Sequence, residues 1–188
     1  VSSFLYYLIH NQKQLDRMKW LIQSILKLAR LDAKAIELDQ KTQNLNKTVK
    51  EAIDALKDKA VESKVHIHFH ENEEVGLNHD RLWMKEAFIN IIKNCIEHTP
   101  EQREINIEII ANPIYIRVII EDQGEGISED DLPHVFKRFY KAKTSKKPDS
   151  VGIGLALAKS IIESHGGMIE AKSEIGKGTA FWITFLNY

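Results

Sequence analysis

The sequence predicts an α+β fold, a mixed sheet with helices packed on one face, preceded by a long bundle helix. Three observations carry this. Apolar residues in the first 36 positions recur at helical spacing, strand-like runs follow from Val65 onward, and further helical stretches fall between those runs.

The elements follow in order. Leu8, Leu15, Met18, Ile22, Ile25 and Ala29 step by sevens, threes and fours, and Ile36 extends the series. That is the seam of a coiled coil or bundle. Leu5, Leu21 and Leu28 widen the stripe beyond what one partner helix covers, and no glycine or proline occurs before Asp39. A polar stretch, Asp39 to Asn46, reads as a linker. Leu45, Val49, Ile53, Leu56 and Ala60 then mark a second amphipathic helix. Val65, Ile67 and Phe69 alternate with His66, His68 and His70, the period of a half-exposed strand. Those histidines read as a solvated strand face. Asp80 is placed to cap a helix running to about His98, with Pro100 beyond its end. Ile105, Ile107 and Ile109 pair with the run Ile114 to Ile120 as a hairpin turning at Asn112 and Pro113. Gly152 to His165 is helical and stops at Gly166-Gly167. Met168 to Glu174 and Thr179 to Leu186 form a last hairpin.

Composition narrows the class. The 188 residues are 43% hydrophobic and 28% charged, ordinary for a soluble globular protein. A formal net charge of -1 offers no basic field for nucleic acid, the lysines between Lys141 and Lys147 being a local exception. One cysteine, Cys95, allows no internal disulfide and fits a reducing compartment. No apolar run approaches the roughly 20 residues of a membrane helix. The chain starts at Val1, which reads as an excerpt of a longer protein.

Four local patterns carry chemistry. Glu86, Asn90 and Asn94 share one face of the helix after Asp80. Alone they are a solvated face; opposite a bound phosphate, asparagine oxygens suit Mg²⁺. Asp122-Gln-Gly124-Glu-Gly126 places an acceptor-only carboxylate before two glycines. Such a carboxylate takes the amine of adenine and repels the carbonyl of guanine, although a plain turn has the same spelling. Gly152-Ile-Gly154-Leu155 opens a helix whose free N–H groups attract phosphate. Ahead of it, Lys141 to Ser150 has the composition of a lid over a charged ligand. Gly176-Lys-Gly178-Thr179 is by itself a tight hairpin.

Taken in order, Asn90 to Thr99, Asp122 to Gly126, Phe136 to Phe139, Gly152 to Leu155 and Gly176 to Thr179 resemble the N, G1, F, G2 and G3 boxes of bacterial sensor histidine kinases. Their ATP-binding domain has the Bergerat fold, a two-layer α/β sandwich shared with gyrase-type ATPases. Ile25 to Asp32 is similar to the second helix of the kinase dimerisation hairpin. The resemblance implies a division into 1–39 (dimerisation helix), 40–47 (linker) and 48–188 (ATP-binding domain). It implies that Asp122 binds the adenine amine, with Gly124, Gly126, Ile127 and Thr179 around it. Asn94 would hold Mg²⁺ and Asn90 would lie near the phosphates. Glu86 would assist the attacking imidazole. Arg138, Lys141, Gly152, Gly154 and Leu155 would complete the ATP site.

The departures from the family pattern matter as much. Glu97 stands where many members carry a base, so it is expected to turn away or leave the phosphates to the lid. His98 stands where a tyrosine often lies against adenine. None of the eight histidines sits in an H-[ED]-x-x-x-P acceptor motif. The resemblance therefore implies an excerpt that binds ATP and lacks its own acceptor histidine. It also implies a homodimer through the helical bundle, a response-regulator receiver domain as partner, and a cytoplasmic excerpt of a membrane-anchored parent. A hydrolysing relative of the gyrase type and a non-catalytic nucleotide-binding module stay open.

Overall fold

The computed structural model describes residues 2–142 and 151–187, with side chains described from residue 11 onward except residue 13. The element order is α1 (Ser2–Asp32), β1 (Lys41–Asn44), α2 (Leu45–Ala55), α3 (Lys57–Glu62), β2 (His66–His70), β3 (Gly76–His79), α4 (Arg81–His98), β4 (Glu104–Ala111), β5 (Tyr115–Asp122), α5 (Gly154–Ser164), β6 (Met168–Glu174) and β7 (Gly178–Leu186), with a 3₁₀ turn at Leu132–His134 after β5. The main sheet has strand order β2-β4-β5-β7-β6. Only β2–β4 is parallel; the other neighbours are antiparallel.

The strand alternation sets which face is buried. Ile105, Ile107 and Ile109 of β4, Val118 and Ile120 of β5, and Phe181 and Ile183 of β7 point into one core. Phe88, Ile91, Ile92 and Ile96 of α4 and Leu157, Ile161 and Ile162 of α5 cover them. The result is two layers, helices on one face of a mixed sheet, as the sequence predicts.

Helix ends have local causes. Asp80 is extended at φ -81°, ψ 112°, and its Oδ1 accepts from the N–H groups of Leu82 and Trp83 at 3.0 and 3.2 Å. Asn44 caps α2 in the same way, accepting from Lys47 N–H at 3.0 Å. Two features differ from the expected elements. The polar stretch before α2 contains β1, which pairs antiparallel with β3; neither strand has an apolar alternation that would show it. The single helix expected over Leu45 to Ala60 breaks at Leu56, whose φ of -110° and ψ of 5° leave the helical region.

α1 has two apolar faces with different fates. Leu28 and Leu31 are buried against the domain. The seam residues Leu15, Met18, Ile22 and Ile25 remain 40–60% exposed. Among the described residues no helix is long and apolar enough to cross a membrane.

Two histidines, His79 buried and His165 half-buried, tie the helix layer to the small sheet. His165 Nδ1 donates to Ile161 O at 2.7 Å, and its Nε2 accepts from Asp80 N–H at 3.1 Å. His79 is fully buried, bonded to Leu77 O and to Thr48 Oγ1. Burial pushes both imidazoles below their ordinary value. Above about pH 6.5 both are neutral in the folded and the unfolded chain. Below it the unfolded chain binds protons that the folded one refuses, so stability falls with pH. The thermal midpoint is therefore expected to drop as pH is lowered from 7.5 through about 6. His165→Gln, which can keep both hydrogen bonds, should flatten that drop, and an unchanged slope would refute the assignment.

Candidate functional site

A cavity of about 740 Å³ opens between α4, the loop after β5, the start of α5 and the N-terminal helix. That volume falls in the range of small-molecule sites. At its floor Asp122, 3% exposed, ends β5. Its Oδ1 accepts from Gly124 N–H at 2.9 Å and from Thr179 N–H at 3.1 Å. The register of β5 against β7 sets this, because Thr179 is the direct partner of Asp122. Gly178 permits the approach: a Cβ there would lie 1.9 Å from Asp122 O. Both backbone bonds fall on one oxygen, so the backbone leaves Oδ2 uncommitted. Burial holds the carboxyl above its usual range, and the bonds from Gly124, the Cys95 thiol and Thr179 offset only part of that rise.

Asn90 and Asn94 of α4 line the wall. Asn90 Nδ2 donates to Glu86 O at 2.9 Å, which turns its oxygen toward α5. A Cβ on Gly154 would come within 3.0 Å of that oxygen, so glycine allows α5 to start against it. Gly126, Ile127, Lys141, Gly152, Gly154, Leu155 and Thr179 also line the cavity.

Three of the expected site residues lie outside this lining. Gly124 is buried under the carboxylate and packs against the His98 backbone. Glu86 is held by α1: Lys27 Nζ donates to its two carboxylate oxygens at 2.7 and 2.6 Å. Arg138 is likewise ion-paired with Asp32 at the end of α1. The lid expected over Lys141 to Ser150 falls, beyond Ala142, outside the described residues.

Glu97 does not turn away. It lines the cavity and pairs with Lys59 of α3 at 3.0 Å. His98 also lines it, its Nδ1 3.1 Å from Glu125 Oε1. Sequence reasoning missed Lys59, and it missed Arg17 and Trp20 of α1, which close one side of the cavity. Lys93 reaches 4.9 Å over the Trp20 ring. No spacing rule connects α1 to α4; only the docked helix brings them together. Among the described residues no cluster of three histidine, cysteine or acidic side chains could hold a metal ion. A cation here would need ligand oxygens from the nucleotide, which is the habit of Mg²⁺.

The family model described as histidine kinase-, DNA gyrase B- and HSP90-like ATPase matches residues 79–187, the span that builds this floor and wall. The chain belongs to this ATPase family. Within it the chain is similar to sensor kinases. It is 30% identical to the sensor protein SrrB of Staphylococcus aureus over 97% of its own length and 31% of SrrB's. The chain thus spans about a third of the length of the curated relatives it matches. The catalytic domain of histidine kinase ThkA superposes with a TM-score of 0.70 at 26% identity, over 80% of this chain and 97% of that one. Full-length ShkA, solved in complex with AMPPNP, shares the fold with a TM-score of 0.79 at 22% identity, over 95% and 37% of the two chains. The floor, wall and helix start of the cavity come from segments far apart in the chain that the fold brings together.

Proposed function

We propose that this ATPase domain is the catalytic module of a two-component sensor histidine kinase. It would transfer the γ-phosphoryl group of ATP to a histidine of the parent protein's dimerisation helix, and from there to an aspartate of a response-regulator receiver domain. The observation that carries the reading is Asp122. It is a buried carboxylate, fixed through one oxygen by two backbone N–H groups, at the floor of a cavity large enough for a nucleotide.

The residues take roles from their positions. Asp122 accepts the adenine amine, with Ile127 and Thr179 beside the ring. Gly152, Gly154 and Leu155 present the start of α5 to the phosphates. Asn94 and the oxygen of Asn90 face the place where phosphate and Mg²⁺ would lie. When bound with the nucleotide, Mg²⁺ supplies neutralisation of phosphate charge. Arg138 and Lys141 add positive charge from the segment after β5. Glu86 orients the attacking imidazole once Lys27 releases it. The exposed seam of α1, Leu15, Met18, Ile22 and Ile25, supports a homodimer through a helical bundle. The kinase ThkA has been solved with the response regulator TrrA, which is the precedent for a receiver-domain partner. The resemblance to sensor kinases implies a parent anchored in the cell membrane.

Asn94→Ala is the test of the metal role. Affinity for an ATP analogue should fall about tenfold in Mg²⁺ and by less than twofold in EDTA. An equal loss in both would remove Asn94 from the metal. The wild-type chain should bind the analogue and release phosphate from ATP slowly. Rapid release would favour a hydrolysing member of the family instead.

A further inference from the structure

Three positions past Asn94, α4 carries an acid on the cavity wall, Glu97. An unmasked carboxylate there would repel a polyanionic ligand at short range. The answering charge comes from outside every glycine or asparagine motif. Lys59 of α3 also lines the cavity, and its Nζ lies 3.0 Å from Glu97 Oε1. The two side chains keep 36% and 21% exposure, so the pair sits at the cavity surface rather than in the core. An ammonium has three donors, enough to serve a second anion beside Glu97. Lys93, the other lysine on this stretch of wall, is drawn over the Trp20 ring of α1 instead.

We propose that Lys59 is a nucleotide-binding residue whose ammonium, oriented by Glu97, donates to a phosphate oxygen of the bound nucleotide. The inference rests on the nucleotide reading of the cavity given above. One cation then bridges two anions, and the acid on the wall positions a charge that it would otherwise oppose. The lysine replaces a base that α4 does not supply at this position. It is brought in by the break at Leu56, after which α3 carries Lys59 to α4.

The experiment is calorimetric titration of the 188-residue chain with a non-hydrolysable ATP analogue in Mg²⁺, and separately with adenosine. Lys59→Met should weaken the analogue about tenfold, the scale of one charge-assisted hydrogen bond, and leave adenosine unchanged. The loss should persist when Glu97→Gln is added. Unchanged analogue affinity overturns the proposal. So does recovery of wild-type affinity in the double variant, which would make Lys59 only a mask for Glu97. An equal loss for adenosine also overturns it, as a structural effect. Asp122→Asn separates the two levels. If it loses both ligands while Lys59→Met binds normally, only the Lys59 role fails. If the wild-type chain binds neither ligand, the nucleotide reading fails and this proposal falls with it.

Discussion

Asp122→Asn is expected to lower the affinity for an ATP analogue by about 100-fold or more while the fold survives. The two outcomes separate because the carboxylate does two things with two oxygens. Oδ1 satisfies the N–H groups of Gly124 and Thr179. An asparagine can place its carbonyl oxygen there and keep both bonds. Its NH₂ then replaces Oδ2 and meets the adenine amine donor to donor, with no acceptor between them. A buried donor left unmet costs its desolvation, and a residue 3% exposed has little contact with solvent to relieve it. Titration with the analogue measures the loss, and a thermal melt within a few degrees of wild type shows that the fold holds. Retained affinity would take Asp122 out of the site. Loss of the melt would show that the carboxylate's role is structural.

Phe181→Ala carries the largest expected cost in stability, about 3–5 kcal/mol. The side chain is fully buried in the middle of β7, flanked by Ile120 on β5 and Ala171 on β6. Truncation removes the ring's transfer energy and leaves a cavity that two hydrogen-bonded neighbouring strands cannot collapse. The ring also supports the site. It meets Phe136 edge to face at 6.3 Å, and Phe136 begins the segment that leads to Arg138 and Lys141. The urea midpoint should fall at unchanged slope, and nucleotide affinity should fall with it even at temperatures where the variant is folded. A shift below about 1 kcal/mol would show that the helix layer repacks over the gap.

The docked α1 bears on the same chemistry. Lys27 and Asp32 occupy Glu86 and Arg138, two groups the proposed reaction needs. The four side chains are 25–46% exposed, and pairs this open are individually weak. Leu28 and Leu31 add the apolar part of the docking.

Much of this was legible in the residues. The seam of α1, the cap at Asp80, the isoleucine alternation of β4 and the order of the asparagine and glycine segments are local patterns. Spacing and side-chain chemistry fix such patterns without reference to the rest of the chain. Asp122 could be singled out because an acid before two glycines is a local spelling. β1 and β3 could not be seen, because a four-residue strand with at most one apolar side chain leaves no alternation and is stable only through its partner. The capture of Glu86 by Lys27 spans 59 positions, and that of Arg138 by Asp32 spans 106. The pairing of Glu97 with Lys59 depends on how α3 leans on α4. The sequence by itself determined most of the helices and the apolar strands, the buried face of the isoleucine-rich strands, and the family resemblance. The tertiary structure decided which charges meet across the cavity, because an ion pair depends on distance in space and leaves no periodic trace along the chain.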